Sequence, residues 1–232
     1  MNLNFGFSVS MAGLKRPDAP ALLNGMLEAG CRAIQLQIVP RIIEEWPKHL
    51  DIINQFEYRT IHLPYLKEAD NDAELNKALH KLIDEINAQN LTFHPKNTDF
   101  RWLADEFGEQ ICAENMDWQK DFGQSPKDLK KVFDELPNAG WTFDVNHVLT
   151  NDPSLKLGDE LYEAFAPRLR QYHLSGFGGT NLPHTLLADT KQDQVINLIK
   201  DRSKPIILES LGSINLERYQ EELNYLANFF KI

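Results

Sequence analysis

The sequence predicts an α/β protein organised as a single (β/α)8 TIM barrel, on the basis of three observations. The chain has 232 residues, of which 42% are hydrophobic and 25% are charged, as in globular proteins with a large apolar core. Short apolar runs of strand length alternate along the chain with segments of helical periodicity. No polar linker, Ser/Gly tract or shift in composition interrupts this alternation, so we expect one domain over residues 1–232.

Eight strand–helix units predict parallel strands that are joined by crossover helices. The strands are predicted at Phe5–Ser10, Ala33–Val39, Tyr58–Leu63, Asn90–His94, Gln110–Asn115, Trp141–Asn146, Leu169–Leu174 and Pro205–Ser210. Eight such units close most naturally into a barrel, which has about 250 residues in the typical case. An open doubly wound sheet is the alternative, and it usually carries a glycine-rich phosphate loop after its first strand. The corresponding segment, residues 11–15, contains a single glycine, which favours the barrel.

The helices are predicted from apolar periodicity and from residues that are typical of helix ends. Apolar residues recur at helical spacing between 75 and 86 and again between 216 and 230. Ser125-Pro126 predicts an N-terminal cap followed by proline in the first turn, and Asn71 with Glu74 predicts a capping box. Three glycines that come just before predicted strands are interpreted as helix terminators, namely Gly30, Gly108 and Gly140.

The charge balance and the cysteine count limit the cellular compartment and the kinds of partner that we expect. The 34 acidic residues outnumber the 24 Lys and Arg, which gives a formal net charge of −10; this charge disfavours nucleic acid as a partner without excluding it. Two cysteines, Cys31 and Cys112, are too few for a disulfide framework. Neither a membrane-spanning apolar run nor a secretory signal is recognisable. We therefore expect a cytoplasmic protein with a small-molecule substrate and no membrane association, whose oligomeric state is open.

Most of the histidines lie where predicted strands end, which is where barrel enzymes place their active sites. Two of the seven, His49 and His80, fall within helical patterns and are expected at the surface. The other five end a predicted strand, follow one closely or lie in the loop after strand seven. They are His62, His94, His147, His173 and His184, and we expect their rings to converge at the mouth of the barrel.

Three acidic residues lie at the same level as these histidines. Glu114 belongs to the end of the fifth predicted strand, Asp144 to that of the sixth and Glu209 to that of the eighth. Apolar neighbours flank each one, and an isolated ionised carboxylate is costly in such surroundings. Imidazole and carboxylate together suit Zn, Mn or Fe, so the cluster predicts a divalent metal site. The alternative is that each residue is a hydrogen-bonded polar group of the core.

The motifs at these strand ends resemble those of the xylose isomerase-like TIM-barrel superfamily. It includes sugar isomerases, ketose epimerases and the endonuclease IV enzymes (AP endonuclease family 2). The resemblance covers essentially the whole chain, and its motifs occur in the order and on the strands that the superfamily uses. They are His-x-Pro-Tyr at 62–65, Phe-His-Pro at 93–95, Glu-Asn at 114–115, Asp-x-x-His at 144–147 and Ile-Leu-Glu at 207–209.

The epimerase branch of this superfamily implies one divalent metal ion. Its ligands in this chain would be Glu114, Asp144, His173 and Glu209. In that branch the two glutamates also transfer the proton, and His147 contacts the substrate. The branch has a positively charged residue about six positions after His173, where this chain has Gly179. The chain therefore departs from the branch at a position that is expected to take part in sugar recognition.

The endonuclease IV branch implies a cluster of three metal ions. The additional ligands would be His62 and His94, with Glu114 as the bridge, and His147 with His184 for the third ion. Gln119, five residues after Glu114, also fits that branch. The chain departs from the pattern at Leu182, where the branch has an aspartate, and at Ser175-Gly176, where it has Asn-Asp. The third metal site therefore lacks its carboxylate.

These patterns predict a divalent-metal-dependent isomerase or epimerase that acts on a small sugar or sugar-like hydroxy-carbonyl substrate. The alternatives are an endonuclease IV-like metal hydrolase, a metal-dependent oxidase and a barrel that binds a metal or ligand without catalysis. Zn or Mn is the expected cofactor, with Mg, Co and Fe as alternatives, and no nucleotide cofactor is expected. Six residues at strand ends or on the predicted rim are candidates for substrate binding, namely Gln37, Arg41, Tyr65, Lys96, Trp118 and Gln119.

Overall fold

Eight parallel strands close into a barrel in the order β1 to β8, and β8 pairs with β1. The computed structural model of the chain describes residues 4–10, 19–64, 73–96, 101–209 and 216–230. The strands are β1 Phe5–Ser10, β2 Ala33–Gln37, β3 Tyr58–His62, β4 Asn90–Phe93, β5 Ile111–Glu114, β6 Gly140–Asp144, β7 Leu169–Leu174 and β8 Ile206–Leu208. The predicted barrel is confirmed, and the open doubly wound sheet is excluded because the sheet has no edge.

Helices connect successive strands on the outside of the barrel. The α-helices are α1 Ala19–Glu28, α2 Leu50–Ile53, α3 Ala73–Ile86, α4 Arg101–Phe107, α5 Pro126–Glu135, α6 Val145–Asn151, α7 Lys156–Phe165, α8 Leu187–Thr190 and α9 Leu216–Phe230. Segments of 3-10 helix lie at Pro40–His49, Gly108–Gln110, Ala166–Arg168 and Asp193–Leu198. Within the described ranges, no helix is both long and apolar enough to cross a membrane.

The apolar core lies between the strands and the helices, because successive residues of a strand point to opposite faces of the sheet. In β6, Trp141 and Phe143 point outward, where their rings stack with centroids 4.3 Å apart, and Trp141 also meets Phe165 of α7. The intervening Thr142 and the following Asp144 belong to the inner face and are buried as well. The same alternation on the other strands directs polar residues into the barrel.

The sixth strand is shorter than predicted, because a helix begins directly after it. The prediction extended this strand to Asn146, but β6 ends at Asp144 and α6 starts at Val145. The Asp144 carboxylate accepts a hydrogen bond of 2.8 Å from the backbone N–H of His147 and so caps the helix. His147 therefore lies in the first turn of α6 and not in a loop.

The predicted helix ends agree with the structure at most of the positions that it describes. Ser125 caps α5 and forms a capping box with Asp128, and Pro126 occupies the first turn. Gly30 and Gly108 have positive φ values of 88° and 64°, as expected of helix terminators. The interpretation of Gly140 was wrong, because this residue begins β6, where a Cβ would lie 2.8 Å from Cys112 Sγ. The Asn71 cap lies outside the described residues.

Candidate metal centre

The strand ends bring all eight predicted metal-binding residues to the same end of the barrel. This follows from the topology, since parallel strands place their carboxyl ends at one mouth. His62, Glu114 and Asp144 are the last residues of β3, β5 and β6, and His173 is the penultimate residue of β7. His94 and Glu209 directly follow β4 and β8. Together with His147 and His184 they form three overlapping groups of potential metal ligands.

One group, called the deep group, is the most deeply buried and consists of three carboxylates and one imidazole. One ligand atom from each of Glu114, Asp144, His173 and Glu209 lies within 4.8 Å of the others. His173 Nδ1 is 2.9 Å from Glu114 Oε1 and 3.3 Å from Glu209 Oε1. All four residues are buried. Three carboxylates this close together repel one another unless a positive charge lies among them.

A second group shares Glu114 and adds two histidines on the cavity side. Glu114 Oε2 lies 2.9 Å from His94 Nε2 and 3.3 Å from His62 Nε2. The two imidazole rings meet edge to face, with centroids 4.6 Å apart. Because Oε1 of Glu114 faces His173 and Oε2 faces His62 and His94, this single carboxylate can bridge two adjacent metal positions.

A third group combines Asp144, His147 and His184. The two imidazole rings lie 5.3 Å apart between centroids, and His184 Nδ1 is 3.0 Å from the hydroxyl oxygen of Ser175. Burial lowers the pKa of His184 to about 4, because the charge of Glu209 does not compensate for the loss of solvent. His184 is therefore neutral near pH 7, which is the form that binds metals.

Backbone carbonyls set the tautomers of two histidines so that a nitrogen lone pair faces the site. His62 Nδ1 lies 3.1 Å from the carbonyl oxygen of Leu63, and His147 Nδ1 lies 2.7 Å from that of Asn115. A carbonyl oxygen can only accept a hydrogen bond, so each Nδ1 carries the proton of the neutral ring. Each Nε2 is then free to bind a metal, an arrangement typical of metal-ligating histidines.

Two carboxylate oxygens show that the residues fit a bound cation. Among the described residues, Asp144 Oδ2 and Glu209 Oε1 are buried and accept no hydrogen bond. An ionised oxygen left in this state costs free energy. Both oxygens belong to the deep group, and a divalent cation there would satisfy both.

The pKa values of Asp144 and His173 are both raised, and the same crowding of negative charge contributes to each shift. Burial raises the pKa of Asp144 to about 7, and the charges of Glu114 and Glu209 add to the effect. For His173, burial lowers the pKa, but the charges of Glu209 and Glu114 outweigh burial and raise it to about 9. Both shifts have the direction expected where negative charge is crowded, since they favour a bound proton at the place where a cation would lower the repulsion.

A cavity of about 440 Å³ opens above this centre, a volume suited to a small molecule. Its polar floor is formed by His62, His94, His147, His184 and Glu209. In the described structure Glu114, Asp144 and His173 do not border the cavity and lie beneath this floor. The centre thus has a buried layer that can hold a metal and an upper layer that a substrate can touch.

The six candidate substrate-binding residues occupy different positions relative to the cavity. Gln37 lines it. The structure does not place Arg41, Lys96, Trp118 or Gln119 among the lining residues that it describes. Arg41, Trp118 and Gln119 are exposed and Lys96 is half-buried. Tyr65 lies outside the described residues. The roles of all six in binding stay predictions.

Four residues of the site were not recognised from the sequence. Asp117 and Lys120 line the cavity from the segment after β5, and no sequence pattern marks them. Gln35 and Gln171 contact His173 from inside the barrel. A signal for these two existed, because each precedes a recognised residue by two positions on its strand and therefore points inward with it.

Three solved structures share the barrel fold of this chain. The structure of AsfvAP:AG is 16% identical, with 99% of this chain and 100% of that chain covered and a TM-score of 0.67. The apo form of 3-keto-D-glucoside 4-epimerase, YcjR, from E. coli is 13% identical over 98% and 100% of the two chains, with a TM-score of 0.66. A xylose isomerase domain protein from Alicyclobacillus acidocaldarius is 13% identical over 98% of each chain, with a TM-score of 0.63. Neither a family model nor a curated protein sequence matches the chain.

Proposed function

We propose that this chain is a divalent-metal-dependent isomerase or epimerase of a small sugar or sugar-like hydroxy-carbonyl compound. The observation that carries the proposal is the deep group of Glu114, Asp144, His173 and Glu209, in which two buried carboxylate oxygens have no hydrogen-bond partner among the described residues. The epimerase branch of the superfamily implies the same four ligands. The similarity in fold to a 3-keto-D-glucoside 4-epimerase also supports this reading.

The four residues of the deep group would hold one divalent ion. When bound, the ion supplies Lewis acidity that polarises a substrate carbonyl and so acidifies the adjacent C–H. The cavity above the site admits a ligand of the size of a monosaccharide derivative. His62, His94 and His147 line this cavity and offer imidazole nitrogens to substrate hydroxyl groups.

Glu209 is the carboxylate best placed to take the proton from the substrate. It lines the cavity, whereas Glu114 and Asp144 lie beneath the floor of the described site. Burial raises the pKa of Glu209, but the charge of His173 outweighs it and leaves the pKa below the ordinary value. Glu209 is therefore ionised near pH 7, as a general base must be. The resemblance implies Glu114 as the second proton-transfer residue, but Glu114 lies beneath the floor of the described cavity, which leaves Glu209 as the carboxylate that a substrate touches.

A second function, endonuclease IV-like phosphodiester hydrolysis, is favoured by one specific observation. The His62–His94–Glu114 group adjoins the deep group through the shared Glu114 carboxylate. Two-metal hydrolases use such a bridge to hold ions roughly 3.5–4 Å apart. Against this function stand the net charge of −10 and the lack of an aspartate at position 182.

Solvent hydrogen exchange tests the proposed reaction before the substrate is identified. A panel of aldoses, ketoses and keto-sugars would be incubated in deuterated buffer with the Mn²⁺-loaded protein and examined by mass spectrometry. We expect metal-dependent incorporation of deuterium next to the carbonyl of at least one compound. Glu209→Gln should abolish the exchange, because an amide cannot accept the proton, while the exposed Glu163→Gln on α7 should retain it.

A hydrolase would cleave a phosphodiester substrate and would not exchange sugar hydrogens in the same protein preparation. Metal-dependent incision of DNA that contains an abasic site, with no deuterium incorporation into any sugar, would replace the proposed function by the second one. Glu209→Gln with undiminished exchange would remove this residue from the proton transfer and leave the isomerase reading in place.

A further inference from the structure

Two glutamines occupy the interior of the barrel directly below His173. Gln35 lies on β2 and Gln171 on β7, and both side chains are fully buried. Glutamine is rarely found so deeply buried, and barrel interiors are normally filled by Val, Ile and Leu. Burying two amides costs free energy unless their hydrogen bonds are satisfied. These residues therefore need a structural or functional explanation that apolar packing does not supply.

Both amides contact the same nitrogen of the same histidine. Gln35 Nε2 and Gln171 Nε2 each lie 3.0 Å from His173 Nε2. They reach it from strands on different sides of the barrel, so they limit both the tilt and the rotation of the ring. With Nε2 held in this way, Nδ1 faces Glu114 Oε1 at 2.9 Å and Glu209 Oε1 at 3.3 Å.

We propose that Gln35 and Gln171 are positioning residues for His173, which hold the ring at its Nε2 edge so that Nδ1 points into the candidate metal centre. This inference rests on the proposed function, since it presupposes a divalent metal among Glu114, Asp144, His173 and Glu209. It assigns Nδ1 as the metal-binding nitrogen of His173. It also assigns to the two amides the outer contact that metal-ligating histidines almost always make.

A neutral ring that binds a metal through Nδ1 carries its proton on Nε2, so at least one glutamine must then present its oxygen. Gln35 is the residue that can reverse its amide with the least rearrangement, because its partners besides His173 are two hydroxyls, Ser8 Oγ and, at 3.4 Å from its Nε2, Thr92 Oγ1. Its Oε1 accepts a 3.0 Å hydrogen bond from the Ser8 hydroxyl, and a hydroxyl can donate or accept equally well. After reversal, Gln35 Nε2 donates to Ser8 Oγ and Gln35 Oε1 accepts from His173 Nε2.

Gln171 is held more firmly by a longer chain of hydrogen bonds. Its Oε1 accepts a hydrogen bond of 2.7 Å from the Tyr58 hydroxyl, which itself accepts one from Asn90 Nδ2. Its Nε2 also donates to Thr92 Oγ1 at 3.0 Å. Reversal of this amide would require Tyr58 and Asn90 to change as well. Gln171 therefore keeps its orientation, with Nε2 donating to Thr92 Oγ1 and its side chain packed against the ring, while Gln35 supplies the oxygen that accepts the Nε2 proton.

Zinc affinity tests the inference without an assay of activity. Zn²⁺ alone would be titrated into the intact chain in competition with a chromophoric chelator, with circular dichroism to verify folding. We expect Gln35→Leu and Gln171→Leu to weaken Zn²⁺ binding roughly 10- to 100-fold. The matched control is Cys112→Ala, which alters another fully buried side chain of the barrel, whose thiol contacts the carbonyl of Gln110, and should leave the affinity unchanged.

A conservative variant and a spectroscopic measurement separate positioning from a general role in stability. Gln35→Glu should recover Zn²⁺ affinity relative to Gln35→Leu, because a carboxylate accepts the Nε2 proton. In the wild-type chain, nitrogen-15 spectra of the Zn²⁺-bound form should show the His173 proton on Nε2. This measurement requires no variant and applies even where the leucine variants do not fold.

Three results would overturn the inference, and the first two are distinguishable from failure of the proposed function. Zn²⁺ affinities of Gln35→Leu and Gln171→Leu equal to that of the wild type would refute the positioning role alone. A His173 proton on Nδ1 in the Zn²⁺-bound wild type would refute the assignment of the nitrogen. Absence of Zn²⁺ binding by the wild-type chain would remove the metal centre itself, and the inference with it.

Discussion

The carboxylate of Glu114 links two neighbouring metal-binding groups through its separate oxygens, and its contact with His173 is the shortest link within the deep group. His173 Nδ1 on β7 lies 2.9 Å from Glu114 Oε1 on β5, across the intervening strand β6. Several histidines surround this carboxylate. Burial raises the pKa of Glu114, but the charge and the hydrogen bond of His173 outweigh burial and hold the pKa well below the ordinary value. Glu114 is therefore ionised, and the predictions below follow from its position between two groups.

Divalent metal ions should stabilise the fold, and Asp144→Asn should suppress this stabilisation. Burial raises the pKa of Asp144 to about 7, and its Oδ2 has no hydrogen-bond partner in the part of the chain that is described. A metal at 100 times its Kd adds about 2.7 kcal/mol, and each kcal/mol raises the melting temperature by roughly 2–4 °C for a domain of this size. Thermal unfolding with and without Mn²⁺ or Zn²⁺ measures the effect.

Asp144→Asn is a sharp control because asparagine keeps the oxygen that caps α6. The Oδ1 atom accepts from the backbone N–H of His147, whereas the unpartnered Oδ2 becomes an amide nitrogen that cannot bind a metal. We expect the metal-free variant to be as stable as the wild type and to gain little from added metal. An equal gain in both proteins would exclude Asp144 from the site.

His94→Gln should reduce the amount of bound metal while sparing the deep group. His94 Nε2 lies 2.9 Å from Glu114 Oε2, and of the three groups formed by the described residues it belongs to the His62–His94–Glu114 group. If the wild type binds two or more ions per chain by elemental mass spectrometry, the variant should bind one fewer. The exposed His80→Gln on α3, which pairs with Glu106, should leave the stoichiometry unchanged.

The wild-type stoichiometry itself distinguishes the two candidate functions. About one Mn, Co or Mg ion per chain would point to the deep group and to isomerisation. Two or more Zn or Fe ions would engage His62 and His94 and favour hydrolysis or oxidation. A protein that retains no metal after reconstitution would contradict the central interpretation of the site.

Leu182→Asp should create a stronger third metal site. Asp144, His147 and His184 already bring three donors together, and the endonuclease IV pattern has an aspartate two positions before the loop histidine. Leu182 is 53% exposed, so the substitution buries no new charge. We expect the variant to bind one additional Zn²⁺, as measured by elemental analysis. Leu182→Asn, which adds no charge, should bind no more metal than the wild type.

Glu222→Gln should destabilise the protein through a buried helix cap that is separate from the candidate metal ligands. The two Glu222 carboxylate oxygens each accept a 2.9 Å hydrogen bond, one from the backbone N–H of Leu187 and one from that of Ala188, at the start of α8. A glutamine amide can accept only one of these bonds and leaves the other N–H unsatisfied. We expect a loss of about 1–3 kcal/mol in the free energy of unfolding, measured by urea denaturation, and Glu217→Gln on the exposed face of α9 serves as the control.

The same residue gives a pH dependence whose sign is opposite to that of a salt-bridged acid. Burial raises the pKa of Glu222 above 4.5, so the folded chain retains this proton at pH values where the unfolded chain has lost it. The stability of the wild type relative to Glu222→Gln should therefore decrease as the pH rises above 4.5 and through the raised pKa. An increase over that range would show that the carboxyl is ionised in the folded state.

The barrel could be predicted because the alternation of apolar strand patterns with helical patterns extends along the whole chain. Strands β1 and β7 have the predicted bounds, and the others agree to within one or two residues at most ends. The prediction failed at α6, where Val145 and Asn146 read as the continuation of an apolar strand. The competing interaction is the cap that Asp144 provides for His147, and hydrophobic pattern alone does not reveal it.

The residues on the rim were predicted less well than those at the strand ends. A strand end has a defined place in the barrel, and alternation along the strand determines which residues face inward. The loops that carry Trp118 and Gln119 have no such periodicity. Lys120, two residues after Trp118, lines the cavity while Trp118 is 48% exposed, a difference that depends on the path of the loop.

The sequence by itself determined the alternation of strands and helices and the residue types at the strand ends, and these mark the mouth as a candidate metal site. Only the tertiary structure decided how these ligands are grouped and which nitrogen of each imidazole is available. It showed that Glu114 joins two groups and that Gln35 and Gln171 contact His173 at Nε2. The physical reason is that the grouping depends on the closure of the barrel and on the register between strands, which bring together atoms that are distant along the chain.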